Sequence, residues 1–268
     1  MSIITISRGT YSKGKQIAEE LAQRLDYECV SRDILLEASE DFNIPELKLV
    51  RALHDSPSVL DRFTFGTEKY ISFIRSALLE HLKKDNVIYH GLAGHFFLTG
   101  ISHVMKVRII GDMGNRIKEE MKRENISEKK ARYILQKDDE ERRKWAQQLY
   151  GIDTWDPRLY DIVLHVDNLN VTDIVDILAQ AITCKCFKTT PESNQIMQDI
   201  SFAAKVKTLL VEKFPTVKVA AKHGRIHVTV KSLVSKKNHV QQEISLLLND
   251  VKGIKELKTD IDPIVFQN

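Results

Sequence analysis

Apolar and polar positions alternate in two rhythms along the first two thirds of the chain. Short β-branched runs at 3–7, 86–90, 104–110 and 161–166, with a weaker one at 27–30, read as strands. Between them lie segments in which apolar residues return every three or four positions, predicting helices over 15–25, 34–40, 45–53, 68–84, 113–123, 128–150 and 171–183. In the first of these, Ile17, Ala18, Leu21, Ala22 and Leu25 share one face. Strands that alternate with helices predict crossover units, a parallel sheet, and a ligand site at the carboxyl ends of the strands.

The rhythm stops after Thr183. The stretch CKCFKTTPESNQI is polar, carries a proline and has no hydrophobic period, which places a linker at 185–196 between a domain of residues 1–184 and a second of 197–268. The second reads as helix (199–214), strand (217–221), turn (222–225), strand (226–231), helix (237–248) and strand (254–261), a small α+β domain. Gly224 supplies the left-handed residue of a tight hairpin. Alternation sends Ile226, Val228 and Val230 to one face of the strand and His227, Thr229 and Lys231 to the other.

Composition narrows the classes. With 43% hydrophobic and 29% charged residues over 268 positions, the chain has enough apolar material for two cores. No apolar run approaches the roughly 20 residues of a membrane helix. The N-terminus enters a strand with no basic n-region or long apolar segment, so no secretory signal and a cytoplasmic location are expected. Cys29, Cys184 and Cys186 do not form a disulfide framework, and Cys-Lys-Cys lacks the second pair of a zinc site. The net charge of +3 hides an asymmetry, because residues 202–239 hold nine Lys or Arg against the single acid Glu212. Such an excess reads either as a solvated lysine face or as a surface for an anionic partner. No RNP-like aromatic pattern, zinc spacing or helix-turn-helix signal accompanies it, so nucleic acid is not expected as a partner.

The chemistry begins at ISRGTYSKGKQIA, which follows the first strand and opens the first helix. Against the phosphate-loop pattern G-x-x-x-x-G-K-[ST], Gly9, Gly14 and Lys15 fit, while Gln16 stands where a hydroxyl would meet magnesium. Such loops hold phosphates with concave backbone N–H groups, the helix dipole and a cation, and Arg8, Lys13 and Lys15 supply cations here. His90, at a strand's carboxyl end beside Gly91, is a further candidate for holding a phosphate or a water.

The run SRGTYSKGKQIA resembles the S-R-x-x-G-S-G-G-R-x-I-A loop of the cytidylate kinase-like family of P-loop nucleotide kinases. Ser7, Arg8, Ser12, Gly14, Ile17 and Ala18 match, Lys15 replaces an arginine, and Tyr11 and Lys13 stand where the family has glycine. Downstream, Arg116, Arg123, the Asp139-x-x-Arg142 pair and the Trp155-Asp156-Pro157…Tyr160-Asp161 ending are similar to the family's last strand pair and lid. The resemblance implies a P-loop NTPase-type parallel sheet flanked by helices. It also implies ATP-dependent phosphoryl transfer to a nucleoside monophosphate or other small acceptor, with ATP and Mg²⁺ as cofactors. On this resemblance Ser7, Arg8, Gly9, Ser12, Lys13, Gly14, Lys15 and Gln16 bind the nucleotide, and Lys15, Arg116, Arg123 and Arg142 serve catalysis. Arg116 and Arg123, seven apart on one helix, are expected to project from nearly one face towards the phosphates.

Further departures from the family fall where the acceptor is contacted. Ser31 replaces an aspartate and Leu92 an arginine where the accepting nucleotide is contacted, leaving Arg32, Asp33 and His90 as the acceptor-side candidates. With Gln16 in the loop, magnesium is left to Ser12, Asp33 or water. The alternative reading is a catalytically weak or inactive nucleotide-binding sensor that regulates partner or membrane contact through its C-terminal domain. That domain, with HGRIHVTV and VKGIKELKTDI, is similar to a BON domain, which implies contact with anionic phospholipid or a protein.

Overall fold

The computed structural model describes residues 2–9, 12–31, 66–91 and 94–263, with the single positions 34, 37, 38, 40 and 43. Of the helix expected at 34–40, the described positions 34, 37, 38 and 40 are helical, whereas the helix expected at 45–53 and the candidate residues Arg32 and Asp33 lie outside the described residues. The described chain groups into two units, one drawn from 2–31 and 84–190, the other from 66–83 and 191–263.

The first unit contains β1 (Ile3–Arg8), α1 (Gly14–Leu25) and β2 (Glu28–Val30). Helix α2 (Gly66–Leu82) groups with the second unit, and the first resumes with β3 (Val87–His90), a short α3 (Gly94–Phe97) and β4 (Val104–Gly111). It closes with α4 (Met113–Glu124), α5 (Glu128–Tyr150), β5 (Ile162–Val166) and α6 (Val171–Ala181). The five strands pair in parallel in the order β2-β3-β1-β4-β5, as the alternating pattern predicts. One face of the sheet buries Ile4, Ile6, Ile88 and Val107 against Ile17 and Leu21 of α1 and Ile174 and Leu178 of α6. Because strand side chains alternate, Arg108 and Ile110 of β4 take the opposite face. The Asp112 carboxylate caps α4 by accepting from the Asn115 backbone N–H at 2.9 Å, which fixes the start of the helix one turn before Arg116.

In the second unit α7 (Pro191–Leu210) is followed by β6 (Lys218–Lys222), β7 (Arg225–Ser232), α8 (Lys237–Leu248) and β8 (Glu256–Pro263). The hairpin β6–β7 is antiparallel and β7–β8 parallel, giving a small mixed α+β sheet. Ile226, Val228 and Val230 face a core shared with Val206 and Leu210 of α7 and Ile244 of α8, as the alternation predicts. His223 and Gly224 both adopt positive φ, 53° and 84°, at the hairpin turn. The segment expected as a linker differs from its reading: 185–187 form a 3-10 turn, and α7 starts at Pro191 rather than at residue 199. Proline is preorganised for the first helical position, and Glu192 in the first turn complements the helix dipole. Helix α2 packs along α7. Among the described residues no helix is long and apolar enough to cross a membrane, and Cys29, Cys184 and Cys186 form no disulfide.

Candidate active site

The loop after β1 emerges at the carboxyl end of the sheet. Ser12 folds back on it, its backbone N–H and its hydroxyl both donating to the Gly9 carbonyl, at 3.4 and 3.0 Å. Lys13 then takes a left-handed conformation, φ 58°, directly before α1, the kind of local turn that makes backbone N–H groups concave. The N-cap residue Lys13 makes no side-chain cap hydrogen bond, which leaves the first N–H groups of α1, the positive end of the helix, available at the loop. Gly14 is required by packing, since a Cβ there would come within 2.7 Å of the Arg8 Cβ.

Two guanidinium groups stand beside this loop. Arg116 is buried with its side chain only 8% exposed, lies about 3.7 Å from where a Cβ of Gly9 would stand, and is gripped by Asp139 of α5 at 2.7 Å. Arg108 extends from β4, donating to the Tyr160 hydroxyl at 3.2 Å and to Ser7 Oγ at 3.4 Å. The Tyr160 hydroxyl in turn donates to the Thr154 carbonyl at 3.0 Å. Gly9, Arg108 and Arg116 border a cleft of about 350 Å³, the volume of a small-molecule pocket. Asp139, the partner of Arg116, also lines it, and the rest of the lining is mainly apolar, from Ile110, Met113, Trp155, Pro157 and Val163.

The other candidates are placed differently. Lys15 is 64% exposed and pairs with Glu19 at 3.5 Å, while the Gln16 amide donates to Glu20 at 2.9 Å. Arg123 does not converge with Arg116: it is 51% exposed and pairs with Glu120 and Glu124 at 3.2 and 3.0 Å. Seven residues return to nearly the same helix face but advance about 10 Å along the axis, which carries Arg123 two turns away. Asp139, expected beside Arg142, pairs with Arg116, and Arg142 is half-buried on α5 outside the cleft lining. His90 is buried at the end of β3.

Arg108 was not singled out by sequence reasoning. Its signal was the second of two cations, Lys106 and Arg108, that alternate with apolar residues in VMKVRIIG, the one in the carboxyl half of a strand flanking the loop. Arg143 gains a fixed role of another kind, donating twice to Asp153 at 2.9 and 2.7 Å with its guanidinium 4.6 Å from the Trp155 ring centroid.

His95 on α3 lies behind this network, 5% exposed, its ring centroid 5.0 Å from that of Tyr160. Burial, with help from the positive charges of Arg108 and Lys106, pushes its pKa down to about 3. The imidazole is therefore neutral when folded and takes up a proton near pH 6.5 when unfolded. Its contribution is complete above that value and drains away as pH falls towards 3, with a slope of up to about 1.4 kcal/mol per pH unit. Denaturant unfolding at pH 7, 5.5 and 4 should show this loss, and His95→Phe should flatten it; an unchanged slope in that variant would remove His95 as the cause.

A parallel sheet of order β2-β3-β1-β4-β5, flanked by helices and carrying a phosphate-type loop after its central strand, is the architecture of P-loop kinases. The chain belongs to the cytidylate kinase-like family, whose model matches residues 3–168. It is 25% identical over 183 residues to the cytidylate kinase of Sulfolobus acidocaldarius, a match covering 68% of this chain and 94% of that protein. Its fold is similar to that of an uncharacterized protein from Eubacterium ventriosum, with a TM-score of 0.53 and 19% identity over 69% of this chain and all of that one.

Proposed function

We propose that the protein transfers the terminal phosphoryl group of ATP to a nucleoside monophosphate or another small acceptor. The observation that supports this best is the meeting of the loop at Gly9 with the guanidinium groups of Arg108 and Arg116 in one cleft. Phosphoryl transfer asks a protein mainly to position the reactants and to neutralise charge on the transferring group, and buried or clamped guanidinium groups suit that demand. Ser7, Arg8, Ser12, Lys13 and Gly14 form the bed for the donor phosphates in this reading. Lys15, Arg123 and Arg142 are cations that reach the phosphates only on rearrangement. For Lys15 the ion pair to Glu19 is a surface one worth under about 1 kcal/mol, so releasing it costs little. Arg32, Asp33 and His90 remain the acceptor-side residues of the proposal.

Family membership implies ATP and Mg²⁺. The loop suits a triphosphate, but among its described side chains it offers a metal only neutral oxygens, the Ser12 hydroxyl, which donates to the Gly9 carbonyl, and the Gln16 amide, whose nitrogen donates to Glu20. No group of three metal-ligating side chains occurs among the described residues. Mg²⁺ would then arrive on the phosphates themselves, and no step here is assigned to a protein-held ion.

Incubating the purified chain with ATP, Mg²⁺ and a panel of nucleoside monophosphates should release ADP with at least one acceptor. Lys15→Ala and Arg108→Ala should each raise the ATP dissociation constant at least tenfold by calorimetry, a charge-assisted contact being worth roughly 1.5–3 kcal/mol. Unchanged affinity in both variants would count against the cleft. ATP binding without ADP release would favour the sensor reading, to which Gln16 in place of a hydroxyl already lends weight.

For the C-terminal unit, the BON-like reading proposes contact with anionic phospholipid or a protein. Lys218, Lys222, Arg225 and Lys231 are exposed on the hairpin, which supports it, but the register sets Glu256 opposite Arg225 and Asp262 opposite Lys231. The local cationic field is weaker than the chain count suggests.

A further inference from the structure

Trp155 is 50% exposed although it sits in an ordered turn beside the cleft. Its orientation is fixed without being buried. The Arg143 guanidinium lies 4.6 Å from the ring centroid, Asp153 accepts two hydrogen bonds from that guanidinium, and the same carboxylate accepts from the Trp155 backbone N–H at 3.0 Å. An indole held in this way is a preorganised flat surface. A second apolar side chain lining the same cleft, Val163 of β5, is likewise 39% exposed. Apolar area left open beside Arg108, Arg116 and Gly9 makes one cleft that offers both a stacking plane and anion contacts.

We propose that Trp155, clamped by Arg143, is the stacking face for the base of the nucleotide whose phosphates lie at the Gly9 loop. The inference rests on the nucleotide-binding reading above and names the residue that distinguishes a nucleotide from a bare polyphosphate. Base stacking on an aromatic ring tolerates any base, because each has a π-face, so the contact provides affinity for nucleotides as a class. Arg143 contributes by holding the ring and is a positioning residue.

The test is calorimetry on the full chain with two probes, ATP and inorganic tripolyphosphate. Trp155→Ala should weaken ATP binding by roughly tenfold or more and leave tripolyphosphate binding unchanged, and Trp155→Phe should restore ATP affinity to within about threefold. Equal weakening of both probes would assign Trp155 a structural role only, and an unchanged ATP affinity in Trp155→Ala would place the base elsewhere; either overturns the proposal. If the unaltered chain binds neither probe, the nucleotide-binding reading itself fails and this inference with it, an outcome distinct from the other two.

Discussion

Replacing Arg116 with alanine is expected to cut turnover by about a hundredfold or more and to destabilise the first unit by about 3 kcal/mol. Both effects come from one side chain. Its guanidinium overlies Gly9 at the loop, where charge on a transferring phosphoryl group would develop, and it also neutralises the partly buried Asp139. Removing it leaves that carboxylate without its 2.7 Å partner in a site of low exposure. The double variant Arg116→Ala/Asp139→Ala separates the two roles. Stability should largely return, since the Asp139 carboxylate is removed together with its 2.7 Å partner, whereas turnover should stay low. ADP release and denaturant unfolding measured on the wild type and both variants decide it. Turnover that survives in the single variant would make the Arg116–Asp139 pair purely structural.

The second large effect is expected on stability, at Gly94. A Cβ at this position would lie 2.3 Å from both Cδ1 and Cε1 of the Tyr89 ring, far inside van der Waals contact. Tyr89 is buried on β3, which pairs with β1 on one side and β2 on the other, so the ring has little room to swing aside. Gly94→Ala should therefore cost about 3 kcal/mol, the upper end of ordinary overpacking. The double variant Tyr89→Ala/Gly94→Ala should lose nothing further from the second change, because the clashing ring is gone. A melting temperature unmoved by Gly94→Ala would mean that α3 yields locally instead.

Local order along the chain was legible from the sequence. Strands and helices follow from side-chain periodicity, a property of near neighbours, and the five strands of the first unit fall within about two residues of their predicted limits. The loop after β1 and the inward face of Ile226, Val228 and Val230 were readable for the same reason. The start of α7 was present in Thr190-Pro191-Glu192 as a helix-opening signal, but the polar composition that follows was read as a linker.

What periodicity cannot carry is which distant residues meet. Helical spacing puts Arg116 and Arg123 on one face, yet only the packing of α4 against α5 brings Asp139 to Arg116 and leaves Arg123 with Glu120 and Glu124. Arg108 becomes a cleft residue because β4 lies beside β1 and β5, a strand order that no local pattern states. The grouping of α2 with α7 joins segments more than 100 residues apart. The basic stretch at 202–239 looked unbalanced along the chain, and the parallel pairing of β7 with β8 places acids opposite two of its cations. Charge and contact are set by distance in space, and sequence fixes that distance only over the few residues spanned by a helical turn or a strand pleat.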